Sequence, residues 1–150
     1  MKIEKITSDK KRFLELLLLA DEQESMIDRY LERGELFVMY EPEDKVACVA
    51  VVTNEGNDVC ELKNIAVDPN HQRKGLGRKM IEFLCQHYSG KYNTMLVGTG
   101  DSQQTISFYK SCGFNFAYII PDFFTRNYDH PIVEDGKILT DMIYFRRSLT

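Results

Sequence analysis

Asn64-Ile65-Ala66-Val67-Asp68-Pro69-Asn70-His71-Gln72-Arg73-Lys74-Gly75-Leu76-Gly77 is the stretch whose reading decides the fold. Val59–Val67 reads as a β-strand. From Gly75 onward the apolar positions are Leu76, Met80, Ile81, Leu84, Cys85 and Tyr88, which is helical spacing. A strand, a short turn and a helix are therefore adjacent. Such a turn is an anion site, because the first helical turn leaves backbone N–H groups unpaired at the positive end of the helix dipole. Glycines let phosphates approach that backbone closely. Arg73, Lys74, Arg78 and Lys79 add formal positive charge. Cations are disfavoured at a helix N-terminus, so a merely solvated basic end carries a small cost that a bound polyphosphate would offset.

Working outward, Lys2–Thr7 reads as a strand, and Ser8 or Asp9 caps a helix through Ala20 with Phe13, Leu16 and Leu17 on its apolar face. A second helix carries Met26, Ile27, Tyr30 and Leu31 and stops at Gly34. Leu36–Tyr40 and Val46–Thr53 are β-rich runs around a Glu41-Pro42-Glu43-Asp44 turn. Beyond the central helix, Asn93–Gly98 is a strand, and Asp101 with Gln104 resembles a capping box for a short helix ending at Cys112-Gly113. Phe114–Ile120 and Ile138–Phe145 are the last strands. The order predicts a mixed α/β (α+β) architecture, one domain over residues 1–150, with a sheet of about six or seven strands flanked by helices. Pro121–Lys137 is a long connection rich in aromatics and charges. It reads either as a structured lid or pocket wall, or as a hairpin excursion without a role.

The chain has 150 residues, enough for one substantial core, with 43% hydrophobic and 28% charged residues and a formal net charge of -4. That balance argues against a nucleic-acid partner. Cys48, Cys60, Cys85 and Cys112 form no zinc-type spacing with one another or with histidine, so no metal is expected. Free thiols in a reducing cytoplasm are the expectation. No signal peptide follows Met1, and the Leu16–Leu19 run is too short to cross a bilayer, so no membrane partner is expected.

The turn lacks the Lys-Ser/Thr of a P-loop, and Met80 stands where a dinucleotide fingerprint needs its third glycine. Gln72-Arg73-Lys74-Gly75-Leu76-Gly77 instead resembles the Gln/Arg-x-x-Gly-x-Gly/Ala signature of the GNAT family of N-acetyltransferases. The preceding Asn64–Pro69 segment resembles that family's Ile-Ala-Val-x-Pro strand, and Phe108-Tyr109-Lys110-Ser111-Cys112-Gly113-Phe114 resembles its second landmark. The resemblance is good from about Glu35 to Phe116 and elsewhere extends only to the order of elements.

The resemblance implies that acetyl-CoA, as co-substrate, lies where two parallel strands, Val59–Val67 and Asn93–Gly98, splay apart. The pyrophosphate would rest on the turn formed by Gln72, Arg73, Lys74, Gly75, Leu76 and Gly77, with Arg78 nearby. Ile65, Ala66 and Val67 would meet the pantetheine arm, as an added strand would, and a main-chain N–H near Ile65 would polarise the thioester carbonyl. Tyr109 matches the tyrosine that protonates or stabilises the leaving thiolate. It also shares a helix face with Ile106 and Cys112, as a core residue would. Glu61, placed on one strand face with Lys63 and Ile65 by the period of two, is the candidate base, directly or through water. Its bland alternative is an exposed charge paired with Lys63. His71 is expected to be positional, His87 solvated, and His130 directed at the acceptor. Phe123, Tyr128 and the acidic residues of the long connection would suit a cationic small-molecule amine. A homodimer is a further partner left open. The competing function is a catalytically silent acetyl-CoA-binding sensor or regulatory module.

Overall fold

In the computed structural model, which describes residues 1–150, nine strands and five α-helices alternate along the chain. In order they are β1 Lys2–Ile6, α1 Leu14–Leu17, α2 Glu24–Ile27, β2 Glu35–Glu41, β3 Lys45–Gly56, β4 Val59–Val67, α3 Leu76–Tyr88, β5 Thr94–Thr99, α4 Gln103–Ser111, β6 Asn115–Ile120, α5 Phe123–Asn127, β7 Val133–Glu134, β8 Lys137–Ile138 and β9 Met142–Ser148. Seven strands form one sheet in the order β1-β2-β3-β4-β5-β9-β6. Only β4 and β5 pair in parallel, with α3 as the crossover that a parallel pair requires.

Both faces of the sheet are covered. Along β2, Phe37 and Met39 point to the α3 side, where they pack with Met80, Ile81, Leu84 and Tyr88. Leu36 and Val38 point to the other side, with Leu17, Ile27 and Leu31. This is strand alternation feeding two cores. No helix is long and apolar enough to cross a membrane.

The expected helix through Ala20 is broken. Asp9 is left-handed, Lys10–Phe13 is a 3-10 turn, and α1 ends at Leu17. Lys10 is the reason: it is buried, and its Nζ donates to the carbonyls of Leu31, Glu32 and Gly34 at 3.0, 3.2 and 2.8 Å. The ammonium pairs carbonyls of the turns at residues 28–34, which replace the expected continuation of the second helix, since α2 ends at Ile27. The cap of α4 is Ser102, which accepts from the Thr105 N–H, and not Asp101.

Pro121–Lys137 is ordered into α5 and a β7–β8 hairpin. Asp135 and Gly136 both have positive φ, the requirement of a two-residue type I′ hairpin turn. Phe124, Ile132 and Leu139 give this segment a small core of its own.

Candidate active site

β4 and β5 part in the middle. Pairing runs from Val59↔Thr94 to Leu62↔Val97, yet β4 continues to Val67 and β5 to Thr99. The parting coincides with a bulge, because Val51 faces Asn64 while Val52 faces Leu62, leaving Lys63 unopposed. Bulges bend a strand and increase its twist.

Beyond the bulge, the Asp68 N–H donates to the Ala47 carbonyl at 2.8 Å. By antiparallel alternation, Asn64 and Ala66 spend their backbone groups on β3, whereas Ile65 and Val67 turn theirs to the gap. The Gln72 side chain reaches back and donates to the Val67 carbonyl at 3.3 Å.

The bulge also corrects the expected placement of Glu61. Cys60 and Leu62 lie on the α3 side together with Ile65 and Val67. Glu61 therefore lies on the opposite side, and does not share a face with Ile65. The extra residue at Lys63 shifts the phase of the strand.

The turn from Gln72 to Gly77 has two left-handed residues, Arg73 at φ 66° and Gly75 at φ 74°, flanking Lys74. The first N–H bonded within α3 is that of Lys79, to the Gly75 carbonyl at 3.1 Å, so the N–H groups before it form the free end of the helix. Gln72, Arg73 and Lys74 are exposed around this end, while the Leu76 side chain is buried and leaves only its backbone for a ligand. Arg78 is engaged elsewhere: its guanidinium donates to the Ser111 carbonyl and Oγ at 2.8 and 2.7 Å, joining α3 to the end of α4. The turn and the splay fit a donor with a pyrophosphate and an amide-bearing arm.

A cavity of about 280 Å³ opens at the splay, lined by Lys63, Asn64 and Ile65 of β4, Gly98 and Thr99 of β5, Tyr109 of α4, Asp21, and Phe124, Tyr128 and Glu134. A neighbouring cavity of about 150 Å³ shares Asp21, Leu62, Lys63 and Tyr128 with it and adds Glu61, Tyr144 and Phe123. Tyr109 and Ile65 are thus brought together, with Glu61 and Phe123 on the adjoining side.

Tyr109 is buried, and burial raises its phenol well above the ordinary range, so it stays protonated at any working pH. Glu61 is 7% exposed, accepts from the Tyr144 hydroxyl at 2.9 Å and pairs with Lys63 at 3.2 Å. Burial holds its carboxyl above the ordinary range, against the lowering effect of Lys63 and Tyr144.

His130 lies outside both cavities. Its ring bonds Asp129 through Nδ1 at 2.6 Å and Glu22 through Nε2 at 2.9 Å. His87 is packed among Phe37, Phe83 and Tyr88 and is not simply solvated.

Two lining residues, Asp21 and Asn64, carry no signal in sequence patterning. Asn64 Nδ2 donates to the Leu17 carbonyl and the Tyr30 hydroxyl at 3.0 and 3.1 Å. The Tyr30 and Tyr128 hydroxyls donate to Asp21 at 2.9 and 2.6 Å. Burial raises the Asp21 carboxyl even so. These groups are far apart in sequence and meet only in the fold.

The profile of the family described as "Acetyltransferase (GNAT) domain" matches residues 32–116. YvbK of Bacillus subtilis strain 168, named as an uncharacterized N-acetyltransferase, is 37% identical over 131 residues, covering 86% of this chain and 84% of that protein. The ribosomal protein bS18-alanine N-acetyltransferase of Salmonella typhimurium is 34% identical, covering 65% of this chain and 64% of that protein. The crystal structure of a GNAT family acetyltransferase from Elizabethkingia anophelis, with acetyl-CoA bound, superposes with a TM-score of 0.92 at 32% identity, covering 98% of this chain and 97% of that one. Motif, splayed strands and relatives agree: the chain belongs to the GNAT family and is an acyl-CoA-dependent N-acetyltransferase.

Proposed function

We propose that the chain transfers the acetyl group of acetyl-CoA to a primary amine of a small molecule by direct attack in a ternary complex. The observation that carries this reading is one cavity that joins the gap-facing edge of β4 at Ile65 to the Tyr109 side chain, with Glu61 in the cavity beside it. The turn from Gln72 to Gly77 grips the donor's pyrophosphate through backbone N–H groups, and Ile65 and Val67 flank its arm, whereas Ala66 between them is spent on β3 and the opposite core. The Ile65 N–H stabilises the oxyanion as the amine nitrogen bonds to the carbonyl carbon. Glu61, with its raised affinity for protons, takes the amine's proton directly or through water. As the carbon–sulfur bond breaks, the Tyr109 hydroxyl donates a hydrogen bond to the departing sulfur, and CoA leaves as a thiolate that solvent protonates. Phe123 and Tyr128 wall the acceptor side. His130 acts at a distance, by holding the lid.

The decisive experiment is a panel of primary amines mixed with acetyl-CoA and read by thiol release, with Tyr109→Phe alongside. Turnover with at least one small amine is expected, falling about 100-fold or more in Tyr109→Phe at nearly unchanged acetyl-CoA affinity. Acetyl-CoA binding without thiol release from any amine would favour the sensor reading. Release confined to a protein N-terminus would sink the small-molecule acceptor.

The proposal extends to a homodimer and a reducing cytoplasmic setting. All four cysteines are free and buried. β6 is an edge strand whose sequence, Asn115–Ile120, has no charge, and Phe116 and Ile119 are 55% and 48% exposed. The opposite edge, β1, carries Lys2, Glu4 and Lys5, which discourage pairing. An uncharged edge is complementary to its own two-fold copy, since an antiparallel pair satisfies both backbones without like-charge contact.

A further inference from the structure

Beyond Leu62 the strand that carries Ile65 is held on one side only. β4 pairs with β5 as far as Leu62↔Val97, and from Lys63 onward its neighbour in the sheet is β3 alone. Lys63 itself is unopposed even there. A bulge interrupts the ladder and bends the strand. An N–H that stabilises developing charge, however, works only if it is held in place beforehand. The ladder by itself thus leaves the direction of the Ile65 N–H loosely set.

Asn64 stands between the bulge and Ile65, and its side chain is tied to the opposite layer. It is 3% exposed, and its Nδ2 donates to the Leu17 carbonyl at the end of α1 and to the Tyr30 hydroxyl, at 3.0 and 3.1 Å. A carbonyl can only accept, so the amide must present its NH2 to Leu17; turned over, it would set oxygen against oxygen. The Tyr30 hydroxyl accepts from Asn64 and gives its own proton to Asp21 Oδ2 at 2.9 Å. Tyr128, on the lid, donates to Asp21 Oδ1 at 2.6 Å. Four side chains from four separate segments therefore form one connected network, and Asn64, Asp21 and Tyr128 all line the cavity that holds Ile65 and Tyr109. Bonds linked in this way strengthen one another. An apolar residue would suit this side of the sheet equally well, since Leu17, Leu31 and Ala66 pack there. What the amide adds is direction rather than burial.

We propose that Asn64 is a positioning residue for the Ile65 N–H: its amide pins the one-sided stretch of β4 to α1 and, through Tyr30 and Asp21, to the lid residue Tyr128. Lid and strand are then set together, so the cleft that closes over the acceptor also aims the donor at the thioester carbonyl. This inference rests on the reading above that the Ile65 N–H meets that carbonyl.

The test is isotope-edited infrared spectroscopy of acetyl-CoA, labelled with carbon-13 at the thioester carbonyl and bound to the protein without an acceptor. On the wild-type protein the carbonyl band should lie below that of a simple thioacetate ester in an aprotic solvent, because a hydrogen bond weakens the C=O bond. In Asn64→Leu, which keeps the volume and removes both bonds, the band should move back toward the aprotic position. Turnover should fall about tenfold or more at nearly unchanged acetyl-CoA affinity. Tyr30→Phe removes one hydroxyl and cuts the network at its second link; the band should move in the same sense, and this variant carries the test if Asn64→Leu fails to fold. A lowered wild-type band that stays in place in the folded variants overturns the positioning role and leaves the Ile65 reading standing. A wild-type band at the aprotic position overturns both.

Discussion

Gly75 and Gly77 lie in one turn but answer to different constraints. Gly75 has a φ of 74°, and a Cβ there would meet nothing within 4 Å. Gly77 has ordinary helical geometry, but its Cβ would come within 3.2 Å of the Phe108 ring. Gly75→Glu should therefore keep the fold at a cost of about 1–2 kcal/mol, while placing a carboxylate in the anion seat and weakening acetyl-CoA binding about tenfold or more. Gly77→Ala should instead strain the α3–α4 contact by about 1–3 kcal/mol. Calorimetric titration with thermal melts separates the two, and equal affinity in Gly75→Glu would move the phosphate site elsewhere. Glu61 supplies a pH signature. Its carboxyl is raised by burial, and a base works only when deprotonated. Activity should thus fall as pH drops through a value above the ordinary glutamate figure of about 4.3. Glu61→Gln should lower the neutral plateau by about 100-fold and abolish that limb, so a mutant with an intact acidic limb excludes Glu61 as the base. The strand–turn–helix around Gln72–Gly77 and the helix that carries Tyr109 were legible because each sits in a contiguous motif. The face of Glu61 was not, since one unopposed residue at Lys63 reverses the strand's phase, and a bulge leaves no mark in the period of two.

Elements were legible in proportion to the regularity of what they bury. α3 follows its apolar stripe from Leu76 to Tyr88, because it lies flat on the sheet. α1 does not: Lys10 is drawn to the carbonyls of Leu31 and Gly34 beyond α2, and the expected helix divides into a 3-10 turn over Lys10–Phe13 and a short α1 over Leu14–Leu17. The lid hairpin hinges on Asp135-Gly136, a turn signal flanked by strands of only two residues each, too short to show alternation. β6 was readable as a strand, but its place at the sheet edge depends on β9, which comes later in the chain and inserts between β5 and β6. That insertion leaves the uncharged edge open, and dimerisation is tested there. Ile119→Lys puts a charge into the proposed two-fold contact without touching the cleft. Light scattering should give a dimer for the wild-type protein and a monomer for the variant at micromolar concentration. A wild-type monomer, or a dimer that survives the substitution, would remove β6 as the interface.

At the scale of the whole molecule, the cleft wall formed by Phe124, Tyr128 and Glu134 exists only because their segment docks on the α1–α2 region. The contacts are polar and few: Tyr128 to Asp21 at 2.6 Å, the Asp129 N–H to Gln23 at 3.0 Å, Arg29 to Asn127 at 2.9 Å, and His130 to Glu22 at 2.9 Å. Such contacts hold a segment closed without making it as stable as the core. His130 makes the docking depend on pH. Asp129 first, and then Glu22, hold its imidazolium above the ordinary histidine range. A basic group whose pKa is raised in the docked state adds its full stabilisation below the ordinary value of about 6.5. That contribution is lost as pH climbs through the raised value. The pair is solvent-exposed, so the effect is small, but it bears on a marginal contact set. Amide exchange of residues 121–139, corrected for intrinsic rates, should accelerate few-fold between pH 6 and pH 8.5 in the wild-type protein and change little in His130→Gln. An equal acceleration in the variant would assign the pH response to Glu134 or Asp21, whose carboxyls burial raises, so that docking weakens in the same sense as they ionise.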